Sequence, residues 1–336
     1  MAHPRDELDE DGFIPPSSGS FRIIETRLPV AGEDFPRHRA ELEQMFSSEE
    51  ACLTYLERMR WPRGFTCADC GIKGEPWRSG TGLLGCAYCK ALVAVTHGSI
   101  FHGSAIPLMR WFRSVWEVTE HEAGTSVVAM QRVLGVRESE RAARCLGALR
   151  AAMTLPTKRR LRRNVELARV PLEVQTSRGG GRASTCKVNA FLAVAPRGTE
   201  IGQLRLRYTP SADGSDALAF ARDFIEPGSV IETAPWAGYR PLGLAGYKHK
   251  VTPPPMAHTH DAVALPLVHQ IASVLKLWLW SSPEVSVDSL AGYLDEFTFR
   301  LNRRWYPRGL LFYRLMILSA LYESSDEELL GIAVNG

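Results

Sequence analysis

The stretch CADCGIKGEPWRSGTGLLGCAYC, residues 67–89, contains two C-x2-C pairs that are separated by 15 residues. Two residues between cysteines allow a tight turn to aim both sulfurs at one ion, and two such turns complete a tetrahedral set of thiolates. The spacing predicts a structural zinc ribbon with the ligands Cys67, Cys70, Cys86 and Cys89. A closed four-cysteine site has no open position, so we expect this zinc to stabilise the fold and not to catalyse.

Other uses of these cysteines fit the chain less well. A pair of disulfides is disfavoured in a reduced cytoplasm, and a redox C-x2-C does not normally come twice. The segment GTGLLG, residues 80–85, formally satisfies G-x-G-x-x-G, but it runs directly into a cysteine pair instead of opening a helix. We therefore assign it to the hairpin of the ribbon. The remaining cysteines, which we interpret as buried thiols without function, are Cys52, Cys145 and Cys186.

The composition is that of an ordinary soluble globular protein. The chain has 336 residues, of which 45% are hydrophobic and 23% charged, so it can hold more than one domain. No window approaches the roughly 18 uninterrupted apolar residues of a membrane span. The N-terminal MAHPRDELDEDG lacks the basic-then-apolar pattern of a signal peptide. We therefore expect a cytoplasmic protein without a membrane partner, with a disordered tail over residues 1–20.

Periodicity predicts the elements on either side of the ribbon. Residues 40–60 have apolar residues near helical spacing and predict one or two short helices, and a bulky stripe starting at Leu108 predicts a packed helix. From about Val165 the chain changes to strand-forming runs with one crossover helix. Helices follow near Leu267–Trp280 and Val287–Asn302. This order fits an α/β domain with a mixed sheet.

Residues 125–153, TSVVAMQRVLGVRESERAARCLGALRAAM, have the layout of a helix-turn-helix. We expect a short helix from about Ser126 to Leu134, a break at Gly135, and a longer helix from about Glu138 to Met153. A generic helical hairpin is the alternative. A basic run follows the second helix, and the arginines of that helix could reach phosphates or base edges. The expected contacts with double-stranded DNA are Arg137, Arg141, Arg144, Lys158, Arg159, Arg160, Arg162 and Arg163.

In this combination the chain resembles bacterial insertion-sequence transposases of the ISXO2-like group. The resemblance covers roughly residues 40–320 and implies a multidomain α+β protein with an N-terminal zinc ribbon, a helix-turn-helix and an RNase H-like DDE domain of the α/β class with a mixed sheet. The matching stretches, in the order of the family, are RWPRGFTCADCG (60–71), SIFHGSAIPLMRWF (99–112), TSVVAMQRVLGV (125–136), WAGYRPLGLAGYKH (236–249), LPLVHQI (265–271), YLDEFTFRLNRR (293–304) and RGLLFYRLM (308–316).

The resemblance also identifies the positions that would carry catalysis. Such transposases cut and join DNA with acidic residues that hold two divalent metal ions, whose preferred ligands are anionic oxygens. The family's V-D-E-T corresponds to VQTS here, with Gln175 at the aspartate position, and its T-D-G-W-x-G-Y corresponds to TAPWAGY, with Ala234 at the aspartate position. The third position, shortly before the retained Lys276, is Val274. The resemblance therefore implies that all three ligands are lost, so neither Mg²⁺ nor Mn²⁺ is expected.

Two nearby acids offer a rescue of the metal site. Glu173 and Glu232 lie two residues before Gln175 and Ala234, so on a strand each would point to the same face as the lost ligand. The shift moves a carboxylate about 6 to 7 Å along the strand, which is far beyond the tolerance of a metal–oxygen bond. An active transposase that uses these shifted acids is the first rival hypothesis. The second is a protein–protein docking module that no longer binds DNA.

The sequence therefore predicts a catalytically degenerate transposase relative that binds DNA as a regulator, targeting subunit or assembly partner. Homo-oligomerisation is implied by the resemblance alone. The expected organisation is a disordered tail over 1–20, N-terminal helices and the zinc ribbon over 21–105, the helix-turn-helix domain with its basic linker over 106–164, the degenerate RNase H-like domain over 165–325 and a C-terminal tail over 326–336.

Overall fold

The computed structural model describes residues 28–121, 124–154, 160–175, 185–253, 265–282 and 285–322. The predicted tails, 1–20 and 326–336, and the predicted DNA contacts Lys158 and Arg159 lie outside the described residues. The described residues form two compact units. The first consists of 28–121, 127–154 and 305–322, and the second of 124–126, 160–175, 185–253, 265–282 and 285–304.

The first unit contains helices and a small antiparallel sheet. Its elements are α1 (Arg39–Met45), α2 (Glu49–Arg60), β1 (Trp77–Arg78), β2 (Leu83–Gly85), β3 (Leu92–Ala94), α3 (Leu108–Glu120), α4 (Val127–Leu134), α5 (Ser139–Ala152) and α10 (Arg308–Leu321). Apart from α10, which the sequence analysis did not predict, these helices lie where the apolar spacing predicts them, and the two helices of the helix-turn-helix pattern are α4 and α5.

The predicted stripe on α3 forms the core of this unit. Trp111, Phe112 and Val115 are completely buried, because their spacing places them on one face of the helix. Helix α10 packs against α2, α3 and α5. The ring of its Phe312 lies 6.4 Å from the Phe112 ring and 5.8 Å from the Trp116 ring. Although α10 falls within the predicted domain 165–325, its contacts group it with the first unit.

The second unit is built on a mixed five-stranded sheet. Its elements are β4 (Asn164–Gln175), β5 (Thr185–Arg197), β6 (Glu200–Thr209), α6 (Gly214–Phe224), β7 (Val230–Thr233), a 3-10 helix (Ala237–Tyr239), α7 (Arg240–Leu244), β8 (Lys248–Val251), α8 (Pro266–Trp280) and α9 (Leu290–Asn302). The strand order is β6-β5-β4-β7-β8. β4, β5 and β6 are antiparallel neighbours, whereas β7 runs parallel to β4 and β8. The predicted fold class is confirmed.

Alternation along β4 determines which layer each side chain meets. Val165 and Leu167 pack in the core that includes α6, whereas Leu172 and Val174 pack in the core that includes α8 and α9. Ala168 packs against the same core as Leu172 and Val174. Val165 and Leu167 therefore lie on the α6 face of β4, whereas the even-numbered residues from Ala168 to Val174 lie on its α8 face.

Strand β4 is longer than the run LEVQT suggests. It begins at Asn164, eight residues before Leu172, and pairs with β5 as far as Gln175. Its parallel pairing with β7 involves only Asn164, Val165 and Glu166. Strands β4 and β7 therefore pair at the start of β4, a place that we call the β4–β7 edge. Gln175 is at the opposite end of β4.

Candidate functional site

The two cysteine pairs form matching turns of the ribbon. In the first turn Gly71 N–H donates to Cys67 O at 3.0 Å, and in the second Lys90 N–H donates to Cys86 O at the same distance. The backbone φ angles of Gly71 and Lys90 are +70° and +66°, so both turns use the left-handed region at the same position. The ribbon sequence GTGLLG forms the β1–β2 hairpin as predicted, with Arg78 opposite Leu84.

The four thiol groups have the geometry of a zinc site. Their Sγ atoms all lie within 4.8 Å of one another, with 3.6 Å between Cys67 and Cys89 and 3.7 Å between Cys70 and Cys86. A tetrahedral zinc with Zn–S bonds of about 2.3 Å holds its sulfurs about 3.8 Å apart. The residues therefore fit the ion, and a structural zinc is the cofactor that they support.

The three other cysteines lie apart from this cluster. Cys52 and Cys145 are buried and Cys186 is half-buried, and all three are free thiols. Burial raises the pKa of Cys52 to about 12 and raises the pKa of Cys145 well above its ordinary value. Thiols with such pKa values are not nucleophilic at neutral pH.

Helices α4 and α5 pack together around a glycine turn. Gly135 has φ +63°, and its N–H donates to Arg132 O at 3.3 Å. The side chain of Gln131 donates to Arg137 O at 2.7 Å, and the Arg110 guanidinium donates to Leu134 O. The end of α4 is thus fixed to the turn by side chains from two helices.

The arginines predicted to contact DNA fall into two groups. Arg137 is exposed just before α5, and Arg141 and Arg144 are half-buried along its flank. Arg160, Arg162 and Arg163 are exposed in the second unit. Of this second group, Arg162 forms an ion pair with Glu226 at 2.8 Å, which reduces the positive charge it offers to a phosphate.

The structure does not bring Gln175 and Ala234 together. Glu166 of β4 is the residue opposite Glu232 of β7, and Gln175 lies nine residues beyond Glu166 on the same strand. Ala234 is two residues beyond Glu232, so Gln175 lies about seven residues past the level of Ala234, a separation of roughly 23 Å at the usual rise of about 3.3 Å per residue. Glu173 is likewise about 23 Å beyond the level of Glu232, so these two shifted acids do not share a site.

Two alanines come level with each other when the pairing of β4 and β7 is continued. Continuing the register by two residues from the Glu166–Glu232 pair puts Ala168 level with Ala234. Both alanines are half-buried and pack against the core that includes α8. Ala168 is therefore the strand position that faces Ala234, a position that the sequence motif missed.

Glu166 and Glu232 are the acids closest to these alanines, and each is engaged in local contacts. Glu166 Oε2 accepts the Val268 N–H at the start of α8, at 2.9 Å. Burial is the main cause that raises the pKa of Glu166, and the charge of Glu232 adds to it. Glu232 accepts hydrogen bonds from the Thr252 hydroxyl and, at 3.1 Å, from Lys250, and together these lower its pKa.

The third predicted position lies on the outer side of α8. Val274 is 49% exposed and Lys276 is exposed, whereas Ile271 and Leu275 of the same helix face the sheet. The start of α8, which touches Glu166, is about 9 Å from Val274 along the helix axis. Neither Val274 nor Lys276 therefore joins the β4–β7 edge. His269 is the residue of α8 whose charge influences Glu166.

The retained W-x-G-Y sequence serves packing. The Trp236 ring leaves no room for a Cβ at Gly238, and Arg169 lies over that ring at 4.6 Å. Tyr239 is buried against Trp236, with 4.8 Å between ring centroids. These contacts explain how the sequence around Ala234 can persist without an aspartate.

Across the part of the chain that the structure describes, the four cysteines are the single group of three or more side chains placed to share a metal ion. Magnesium and manganese prefer carboxylate oxygens. A pair of glutamates already bonded to Val268, Thr252 and Lys250 does not supply the three acidic ligands that the family's chemistry uses. The described residues therefore do not fit a two-metal centre.

Comparison with protein families matches two parts of the chain. Residues 47–91 match a transposase zinc-ribbon domain, and residues 165–302 match an ISXO2-like transposase domain. The chain thus carries the two domains that define this class of transposase, and the predicted relationship is confirmed. Comparison with curated proteins gives no match. None of the helices that the structure describes is long and apolar enough to cross a lipid bilayer.

Proposed function

We propose that this chain is a transposase-derived, sequence-specific DNA-binding protein whose RNase H-like domain is catalytically inactive. Its zinc ribbon and transposase domain suggest a transposase-like protein that binds DNA. The observation that carries the finer proposal is the register of β4 and β7, which sets Ala168 level with Ala234. A methyl group on each strand cannot ligate a divalent ion.

The contacts of the neighbouring acids support the same conclusion. Glu166 accepts a backbone N–H that opens α8, and Glu232 is bonded to Thr252 and Lys250. A metal ion would have to displace these partners before it could use either carboxylate. The two glutamates are therefore better explained as structural groups. Glu166 connects β4 to α8, and Glu232 connects β7 to β8 and Thr252.

The basic side chains of the helix-turn-helix support the DNA-binding part of the proposal. Arg137, Arg141 and Arg144 lie on or beside α5. The second helix of such a motif enters the major groove, and arginines are suited to phosphates and guanine edges. A protein of this kind acts as a regulator, a targeting subunit or an assembly partner, and the resemblance to transposases implies that it associates with itself.

The test combines a binding assay with a cleavage assay on the same zinc-loaded protein. We expect duplex affinity to fall steeply as salt rises, because phosphate contacts release counterions, and a selection from a randomised duplex library should enrich one sequence. We expect no nicking or strand transfer with Mg²⁺ or Mn²⁺. Metal-dependent cleavage that Glu232→Gln abolishes would overturn the proposed inactivity. A weak affinity that is insensitive to salt would instead favour a docking module.

A further inference from the structure

A small notch beside the second helix of the helix-turn-helix carries a further inference. It lies between the segment Ser104–Ile106, which precedes α3, and the α5 residues Arg141 and Arg144. Trp111 and Cys145 complete its lining. Its volume is about 10 Å³, the space of roughly one water-sized sphere.

The hydroxyl of Ser104 presents a free proton to this notch. Ser104 Oγ accepts the indole N–H of Trp111 at 2.9 Å and the backbone N–H of Ile106 at 3.1 Å. A hydroxyl has two acceptor lone pairs and one donor proton, so both lone pairs are occupied. Within the described ranges no residue accepts the proton of Ser104.

The two arginines add positive charge without a compensating acid. The Nε atom of Arg144 is buried and has no hydrogen-bond partner among the described residues. Neither Arg141 nor Arg144 forms an ion pair in the described part of the chain. A buried donor without an acceptor is costly, and an arginine side chain cannot lose its charge to avoid that cost. The notch is therefore suited to an anionic oxygen.

The size of the notch restricts what that anion can be. A space for one water-sized sphere admits a single oxygen and excludes a whole phosphate ion. We propose that the notch receives one non-bridging phosphate oxygen of the DNA backbone, with the Arg144 guanidinium and Ser104 O–H as donors and Arg141 as an additional positive charge. This inference rests on the proposed function. Such a contact fixes the position of α5 on the duplex without reading its sequence.

Two substitutions of one residue separate charge from hydrogen bonding. Arg144→Gln removes the charge, and Arg144→Lys keeps the charge but lacks the planar set of guanidinium donors. We expect Arg144→Gln to weaken duplex binding and to reduce the slope of log affinity against log salt by about one. Arg144→Lys should keep the slope while affinity falls by roughly three- to tenfold. Thermal melting of each variant verifies that it folds.

A matched control removes the same charge elsewhere in the first unit. Arg39 is an exposed residue of α1 that pairs with Glu43 at 3.8 Å, and Arg39→Gln should leave both affinity and slope unchanged. If the wild-type protein binds with a steep slope but both Arg144 variants bind as it does, the inference is overturned and the proposed function stands. If the wild-type protein does not bind duplexes, both fail together.

Inorganic phosphate tests for the other source of the same chemistry. We expect millimolar phosphate to shift the melting temperatures of the wild-type protein and of Arg144→Gln by the same amount. Stabilisation of the wild-type protein alone, together with unchanged duplex affinity in the variant, would assign the notch to a free anion and overturn the DNA assignment.

Discussion

The zinc ribbon and the β4–β7 edge are the two candidate metal sites of this chain, and their side chains differ. All four thiols of the ribbon lie within 4.8 Å of one another. At the β4–β7 edge, by contrast, Ala168 and Ala234 stand level with each other and pack against the apolar core. The thiols of the ribbon are thus placed to share an ion, whereas the proposed loss of catalysis rests on the two methyl groups at the β4–β7 edge.

The difference follows from what each metal does for stability. A small ribbon has little apolar core of its own, so binding of zinc is the main source of its folding free energy. The sheet has helices on both faces and needs no ion to fold. Clustered carboxylates repel one another in the absence of metal, so we expect alanine at Ala168 and Ala234 to suit a sheet that holds no ion.

The largest effect that would sharpen this comparison is the loss of zinc. Cys67→Ser removes one of the four thiolates, and binding of structural zinc contributes on the order of 10 kcal/mol in small zinc domains. We expect the variant to lose its zinc, as measured by atomic absorption, and to be cut rapidly by protease within residues 67–89. In Cys186→Ser, which changes a thiol outside the cluster, about one zinc per chain should remain. Equal protease resistance of the wild-type protein with and without a strong chelator would contradict the account.

A smaller effect tests the turn that sets the helix-turn-helix geometry. Gly135 has φ +63°, where an L side chain is strained, and a Cβ there would meet the Arg110 guanidinium. Gly135→Ala should therefore lower the free energy of unfolding by about 1 to 2 kcal/mol. Gly147 has open space around it within α5, so Gly147→Ala should raise that free energy by about 0.5 to 1 kcal/mol. Urea unfolding measures both, and shifts in the same direction would show that the turn is not as described.

The smallest effect concerns how the stability of the protein depends on pH through Glu166 at the β4–β7 edge. Burial raises the pKa of Glu166 in the folded protein, so the folded state holds this proton more tightly than the unfolded chain does. Its contribution to stability therefore declines as pH rises from the unfolded pKa through the folded one. Glu166→Gln keeps an acceptor for the Val268 N–H and removes this titration. We expect the stability of the variant to gain on the wild-type protein across that window, and an identical pH profile would contradict this assignment.

Much of the first unit can be predicted from sequence because its signals are local. The spacing of four cysteines identifies the ligands, and the break at Gly135 separates α4 from α5. Helix α10 is different, since Phe312 packs with Phe112 although 200 residues separate them in the chain. Local periodicity does not show which core such a distant helix enters.

At the β4–β7 edge the sequence motif around Gln175 does not predict which residue lies near Ala234. The run from Glu173 through Gln175 precedes glycines as the family's first catalytic strand does, and it is indeed strand. Pairing between distant strands, however, sets Glu166 opposite Glu232, and continuing this register brings Ala168 rather than Gln175 level with Ala234. The alternating stretch VELARV, residues 165–170, is the sequence signal that could have identified Ala168, because Glu166 and Ala168 share a face of that strand.

The most direct test of the proposed loss of the metal site uses two double variants in their zinc-loaded form. Mn²⁺ is added to each, and its binding is followed by electron paramagnetic resonance. We expect Ala168→Asp combined with Ala234→Asp to gain a Mn²⁺ site. Continuing the register of β4 and β7 sets these two carboxylates level, close to Glu166 and Glu232. Gln175→Asp combined with Ala234→Asp should gain none, and the wild-type protein should bind none. A Mn²⁺ site in the wild-type protein that Glu232→Gln removes, or a gain confined to the Gln175 variant, would contradict the account.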